Sequence, residues 1–411
     1  MDVIYESVCG LDVHSGSVQA CLRRLKAGRV ESEVRSFGTM TRDLLSLGDW
    51  LAAEGVTHVA MESTGVYWKP IYNVLEGRFT VLLVNAKHVK HVPGRKTDVK
   101  DCQWLAQLLQ CGLLRGSFVP DRPQREMRDL TRHRAQLVAQ RGAVSQRIQK
   151  TLEDANIKLA LVASDILGVS GRDMLRALIG GQQTPDKMAE LARRRMRQRI
   201  PDLRLALQGH VTDHHRFVLA ELLDQVEDLE RRIERFSHRI EEISGPFAKA
   251  IQTVAELPGF DTRSAQNLVA EIGTDMDRFP TDDHLAAWAG ICPGSHETGG
   301  KRKSGKTTKG SRWLRATLVQ SAWAATRTKK SYFRAQYRRL AGRRGKKRAL
   351  VAVGHSLLVV IYHVLKTGCA FRDLGVDYFD RLDQDRIVKT HVRRLESLGF
   401  TVTLAACKPA A

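Results

Sequence analysis

The first 84 residues narrow the possible folds more than any other part of the chain, because strand-like and helical periodicities follow one another there in a fixed order. An apolar run from Val8 to Leu11 ends at Asp12, in Gly-Leu-Asp-Val-His. After a tight Ser-Gly turn, Ser17 to Leu25 alternates polar and apolar residues as its hairpin partner, and Val30 to Phe37 reads as a third strand. Leu44, Leu45, Leu47, Trp50 and Leu51 then recur at helical spacing. The run His58 to Met61 is a further strand ending at Glu62, in Met-Glu-Ser-Thr-Gly, and Thr80 to Val84 is another. Three strands, a helix and a strand in that order predict a mixed sheet with helices packed on it.

Two of its acids therefore stand at strand ends. A loop rich in Lys and His follows, and then a helix with Leu105, Leu108 and Leu109 on its apolar stripe. Asp98 and Asp101, in Lys-Thr-Asp-Val-Lys-Asp, open that helix three residues apart and share one face at its N-terminus. Each acid alone has a plain structural explanation, as a turn residue or a dipole-compatible helix start. Taken together, Asp12, Glu62, Asp98 and Asp101 are oxygen ligands suited to Mg²⁺. Two such ions about 3.5–4 Å apart clamp the attacking and leaving oxygens of a phosphoryl transfer. The pattern points to metal-dependent chemistry on a phosphodiester.

Charge supplies a second constraint. The chain has 66 Lys and Arg against 45 Asp and Glu, a net charge of +21, and the surplus is local. From Thr298 to Arg372 there is no acidic residue, while that span holds 20 Lys and Arg. Such a surface binds polyanions with salt-sensitive affinity through counterion release, so nucleic acid is the expected partner. No apolar run approaching 18 residues and no signal peptide stand out, which predicts a cytoplasmic protein that does not span a membrane. The seven cysteines are scattered, odd in number and never spaced Cys-x-x-Cys, as expected of reduced thiols rather than a zinc site.

Pro120 and Pro123 close the first region. Met127, Leu130, Leu137, Val144 and Ile148 then mark one stripe of a basic helix. Leu219, Leu222, Val226, Leu229, Ile233, Phe236, Ile240 and Ile243 alternate steps of three and four, a coiled-coil seam. Its uses are self-association, an antiparallel hairpin with the earlier helix, or ordinary packing within one subunit. Between the two helices, Ser164 to Asp202 is less regular and interrupts them. Leu257-Pro258-Gly259-Phe260-Asp261 with Ala265, Leu268, Val269 and Gly273 resembles a helix-hairpin-helix, although Asp261 stands where a second turn glycine is usual. A short helix then leads through Ala289-Gly290-Ile291-Cys292-Pro293-Gly294 into a Gly-, Ser- and Lys-rich loop, and a helix with a basic N-terminus follows. A hydroxyl in that loop would sit among cations able to stabilise a pentacoordinate phosphorus and lower the hydroxyl's pKa; the alternative is a flexible phosphate-binding loop.

Gly-Leu-Asp-Val-His, Met-Glu-Ser-Thr-Gly-Val-Tyr-Trp, Asp-Val-Lys-Asp, Leu-Pro-Gly-Phe and Ala-Gly-Ile-Cys-Pro-Gly, spread over nearly the whole chain, resemble insertion-sequence transposases of the insertion-sequence one-ten family. The resemblance implies an α/β plus all-α architecture: an RNase H-like (RuvC-like) DEDD domain over 1–122, a helical coiled-coil region over 123–248, a transposase domain over 249–372, and a tail over 373–411. It implies a recombinase acting on donor and target DNA, guided by a bridge RNA, and working as a homo-oligomer, a dimer or tetramer. Asp12, Glu62, Asp98 and Asp101 would hold Mg²⁺ and complete a composite site with the serine domain of another subunit. The family's serine precedes a glycine after Cys-Pro-Gly; here the nearest match is Thr298, with Ser304 and then Ser295 as the other candidate nucleophiles. The β-methyl of threonine crowds an in-line approach. Two other classes stay open: a metal-dependent nuclease with no covalent intermediate, and a non-catalytic nucleic-acid-binding derivative.

Overall fold

The computed structural model describes residues 3–63, 65–85, 89, 101–294 and 296–405, with the backbone alone at 296–298 and 302–304. The chain divides into two compact units, Met1–Pro120 and Asp121–Ala411.

In the first unit β1 (Ser7–Val13), β2 (Ser17–Lys26) and β3 (Arg29–Gly38) form an antiparallel meander. After helix α1 (Thr41–Ala53), β4 (His58–Glu62) pairs parallel to β1; helix α2 (Trp68–Leu75) then leads to β5 (Thr80–Val84), parallel to β4. The sheet order is β3-β2-β1-β4-β5. Its two faces are read from alternate residues. Cys9, Leu11 and Val13 pack with Leu44, Leu47 and Leu51 of α1 and Ile71 and Leu75 of α2. Val8 and Ala60 face Leu109 of α3 (Asp101–Gln110) on the other side. Leu11, Leu47, Leu51 and Leu75 are fully buried, each contributing about 1.5–3 kcal/mol. A one-residue slip of β1 would turn Leu11 outward and Asp12 into the core, so the apolar face locks the register.

The second unit is helical. Helix α4 (Arg122–Asp154) starts at the Asp121 cap with Pro123 in its first turn and runs 33 residues, roughly 50 Å at ~1.5 Å per residue. It packs antiparallel against α6 (Asp213–Ile243), since Arg141 meets Glu230 and Asp154 meets His215 while His133 lies by Phe236. The seam read from the sequence is therefore filled within the chain. Leu223 and Ser237 are buried there, and Leu222 and Phe236 lie half-buried on its flank. The interrupting segment is itself helical, with α5 (Val169–Gly180) setting Met174, Leu175 and Leu178 on Ile148, Leu152, Leu219 and Leu223.

Beyond the hairpin lie α7 (Ala248–Ala255), α8 (Thr262–Ile272), α9 (Asp282–Trp288), α10 (Arg312–Ala325), α11 (Tyr332–Arg344) and α12 (Lys346–Thr367), followed by α13 (Gln384–Glu396). Helix α12 is, by length and composition, apolar enough to cross a membrane, contrary to the reading that no such run exists. Gly354, His355, Ser356 and His363 hide it from inspection. Here Leu358, Ile361 and Tyr362 bury themselves among Leu268, Leu314 and Leu318, in a core that also takes Met127 and Ile240 from the hairpin.

The turn between α7 and α8 has its own logic. Gly259 has φ +87°, and a Cβ there would lie 2.1 Å from the Ser321 carbonyl oxygen on α10. Its bare Cα serves helix packing. Asp261 is the N-cap of α8: it accepts from the Ser264 backbone N–H at 2.8 Å, and Ser264 Oγ accepts from its own N–H at 2.8 Å. That reciprocal capping is why an acid stands where a glycine was expected.

Candidate active site

The first unit sets two of the four acids side by side. The last paired residues of β1 and β4 are Leu11 and Met61, and Asp12 and Glu62 each stand one position further on. Adjacent strands run about 4.8 Å apart, and both acids are on the face opposite Leu11 and Met61, which is the α3 face. Gly10 explains how α3 comes so near: a Cβ there would sit 2.3 Å from the Cys102 carbonyl oxygen and 2.4 Å from the Ala106 nitrogen. Asp12 is two residues on, on the same face. Its carboxylate lies 3.2 Å from His14 Nε2, and its side chain is 29 % exposed. Burial raises the Cys102 thiol to about 11, with Cys21 and the negative charge of Asp12 adding to the shift. That electrostatic link puts the start of α3 beside Asp12.

Asp101 is the first residue of α3 and is exposed. Asp98 lies outside the described residues. Among the described residues no group of three or more His, Cys, Asp or Glu side chains is gathered tightly enough to hold a metal ion. Asp12 and Glu62 have the hard-oxygen chemistry that suits a divalent cation such as Mg²⁺, which takes one or two carboxylates and fills the rest of its shell with water and phosphate oxygens.

In the second unit the Gly- and Lys-rich stretch is a two-stranded ribbon, not a loop. Strands β6 (His296–Thr298) and β7 (Lys301–Ser304) pair antiparallel, with Thr298 opposite Lys301 and His296 opposite Ser304. Gly299 and Gly300, at φ +57° and +73°, make the turn. Gly-Gly between two short runs is a hairpin signal, and it is the signal that the sequence reading missed. At the ribbon's foot Gly294 N–H donates to the Lys306 carbonyl at 2.9 Å, and Pro293 bridges to Thr307. Thr298 lies at the turn end of this ribbon and Ser304 near its foot, about 10 Å apart along a strand at ~3.3 Å per residue. Ser295 lies outside the described residues.

Behind the ribbon, charge is handled in two ways. The guanidinium of Arg132 grips Glu271 with both arms, Nε to Oε1 at 2.7 Å and Nη2 to Oε2 at 2.9 Å, and Ser311 Oγ donates to Oε2 at 3.0 Å. Glu271 is 2 % exposed. Ser311 also caps α10, so this buried carboxylate ties α4 and α8 to the end of the ribbon segment. Arg128 donates to the Ala270 and Glu271 carbonyls, and Arg134 to Gln266 and Asn267. Burial lowers both guanidinium pKa values to about 10. The other cations line a groove of about 1010 Å³ at the ribbon's foot, walled by Lys306, Arg315, Arg344, Lys347 and Arg348. Neither Glu271 nor any single cation of that groove was singled out from sequence.

Comparisons with known proteins match both ends of the chain. A family model described as a transposase, of the IS110 DEDD type, covers residues 9–157, and one described as the transposase IS116/IS110/IS902 family covers 251–338. A protein of Pseudomonas aeruginosa named a probable family 20 transposase is 27% identical over 324 residues, 78% of this chain and 80% of its own. Because the two models together take in more than half of the sequence, the chain belongs to the IS110 family of transposases, and its activity is that of a DNA transposase, a recombinase.

Proposed function

We propose that the chain cuts and rejoins DNA with Mg²⁺ held by Asp12, Glu62, Asp98 and Asp101, and with a hydroxyl of the ribbon, Thr298 or Ser304, as nucleophile. The reading is carried by one observation: Asp12 and Glu62 stand one position beyond the last register pair of adjacent parallel strands, on the face where α3 begins. The meander followed by two parallel strands supports an RNase H-like domain over 1–122, followed in the chain by the helical hairpin over 123–248 and the transposase domain over 249–372.

In this reading the acids of the first domain orient the phosphodiester, and bound Mg²⁺ supplies charge neutralisation at the phosphorus. The ribbon hydroxyl forms a P–O bond in line as its proton passes to solvent, the 3′ or 5′ oxygen leaves and takes a proton from solvent, and the strand stays joined to the protein until the free hydroxyl of a second strand end displaces the ribbon oxygen and returns its proton. Lys301, Arg302 and Lys303 lie between Thr298 and Ser304 in the sequence, and positive charge in that stretch favours the developing oxyanion. A bridge RNA selects donor and target by base pairing, and the other subunit of an oligomer completes each site.

The experiment is a strand-transfer reaction on donor and target DNA with the RNA that copurifies, run with Thr298→Ala, Ser304→Ala and Glu62→Gln. Expected are a protein–DNA adduct that one hydroxyl variant abolishes, and loss of all products in Glu62→Gln. Cleavage without an adduct in every protein would establish the metal-dependent nuclease instead. Sequencing the copurified RNA tests guidance, and finding only bulk cellular RNA would remove it.

A further inference from the structure

The groove at the ribbon's foot carries an inference that rests on the ribbon reading above and goes past it. Its walls come from three places: the foot of the ribbon through Pro293 and Lys306, α10 through Arg315, and the junction of α11 with α12 through Arg344, Lys347 and Arg348. Among the described residues no carboxylate lines it. Among the described residues, Arg315, Arg344, Lys347 and Arg348 have no side-chain hydrogen bond or ion pair. This sets them apart from Arg128, Arg132 and Arg134, each of which donates to acceptors inside the fold.

Nothing in the folding of α12 favours these cations either. Lys346, Lys347 and Arg348 fill its first turn, where the helix dipole presents positive charge and each cation costs about 0.3–1 kcal/mol. Gly345, at φ +83°, turns the chain sharply and sets the basic end of α11 against that basic start. An anion in the groove reverses the sign of every one of these terms.

The rest of the lining says which anion. Ile291, Val351 and Ala352 contribute apolar surface that inorganic phosphate would leave bare and that sugar and base faces would cover.

We propose that this groove binds a DNA strand, with Arg315, Arg344, Lys347 and Arg348 on the phosphates that adjoin the one offered to the ribbon and the apolar wall against its sugar and base faces. Continuity of the groove with the ribbon through Gly305, Lys306 and Thr307 makes a strand held there neighbour to the foot of the ribbon.

The test is equilibrium binding, with no cleavage required, so it separates from failure of the strand-transfer reading. Full-length protein carrying Arg344→Ala, Lys347→Ala and Arg348→Ala is titrated with fluorescein-labelled single-stranded DNA, and with RNA of the same sequence, over a salt series. The slope of log affinity against log salt is expected to fall by about 2, three phosphates at about 0.7 each, with at least roughly tenfold weaker DNA binding at physiological salt. The melting temperature is expected to hold or rise slightly, because these side chains have no partner in the fold and two of them oppose the dipole of α12. Arg315→Gln, on a different helix, repeats the test at one phosphate. A control set of Arg231→Ala, Arg235→Ala and Arg239→Ala on α6 removes the same charge elsewhere and is expected to keep the wild-type slope. An unchanged slope in the groove variant overturns the proposal. So does an equal fall in the control, which would mean diffuse charge, and so does a loss confined to RNA.

Discussion

The helical hairpin and the acid-free segment from 298 to 372 are both rich in arginine, and they use it in opposite ways. Along α4, Arg128, Arg132, Arg134 and Arg141 each end on a carbonyl, an amide or a carboxylate of the fold. In the groove between α10, α11 and α12, Arg315, Arg344, Lys347 and Arg348 end on nothing within the described residues. The difference teaches that net charge cannot separate cations that hold a protein together from cations left for a ligand. Partners can. The first kind is read in melting temperature and the second in binding and its salt dependence.

The sharpest separation is expected from charges assigned to chemistry. Asp12→Asn removes a proposed metal ligand, so strand transfer should fall by several kcal/mol of transition-state stabilisation, about a thousandfold, with nucleic-acid affinity unchanged or slightly raised. Retained strand transfer, measured on gels, would strike Asp12 from the site. Next in size is Glu271→Ala, which strands Arg132 and frees Ser311 in a mostly buried place. A stability loss of about 2–3 kcal/mol is expected in urea titration. A loss below about 0.5 kcal/mol would erase the contrast between the two kinds of arginine. Arg344→Ala is expected to move stability by less than about 0.5 kcal/mol in the same titration, and a larger change would mean that the groove cations do serve the fold.

The smallest effect concerns pH. Burial alone would raise the Glu230 carboxyl, but the hydrogen bonds from Arg172 and Arg141 outweigh it and hold the group below the usual carboxylate range. A depressed folded value means that its stabilisation is complete above the unfolded value near ~4.3 and is lost as pH falls through the folded value. Glu230→Gln should therefore be less stable than wild type at neutral pH, and the gap should close below about pH 4. A gap that stays constant down to pH 3 would show that the carboxylate is not what joins α4, α5 and α6.

Much of the first unit was legible because its strands are short runs of apolar and β-branched residues set between turn signals. The stretches Ser17–Leu25, Val30–Phe37 and Thr80–Val84 appear as strands within a residue or so, since such runs are marked by local residue type. Helix α2 went unread: Trp68–Leu75 is only eight residues, with a proline in its first turn, too short for periodicity to speak. The ribbon was missed for a different reason. Its strands of three and four residues are charged and polar, with Thr298 the one β-branched residue, and only the Gly299–Gly300 turn betrayed them. The two acids at strand ends were legible from the strands that end there. The groove was not, because its five cations are spread from Lys306 to Arg348 and only the packing of three helices gathers them.

The sequence by itself determined the order of strands and helices, the positions of Asp12 and Glu62 at strand ends, and the segment in which all surplus positive charge would lie. These are local quantities, set by side-chain type and spacing. Tertiary structure alone decided that β4 would lie beside β1 and bring the two acids together, that the coiled-coil seam would be filled by the chain's own α4, and which cations would be neutralised. Those outcomes depend on which distant segments share a core, and burial free energy settles that over the whole chain at once.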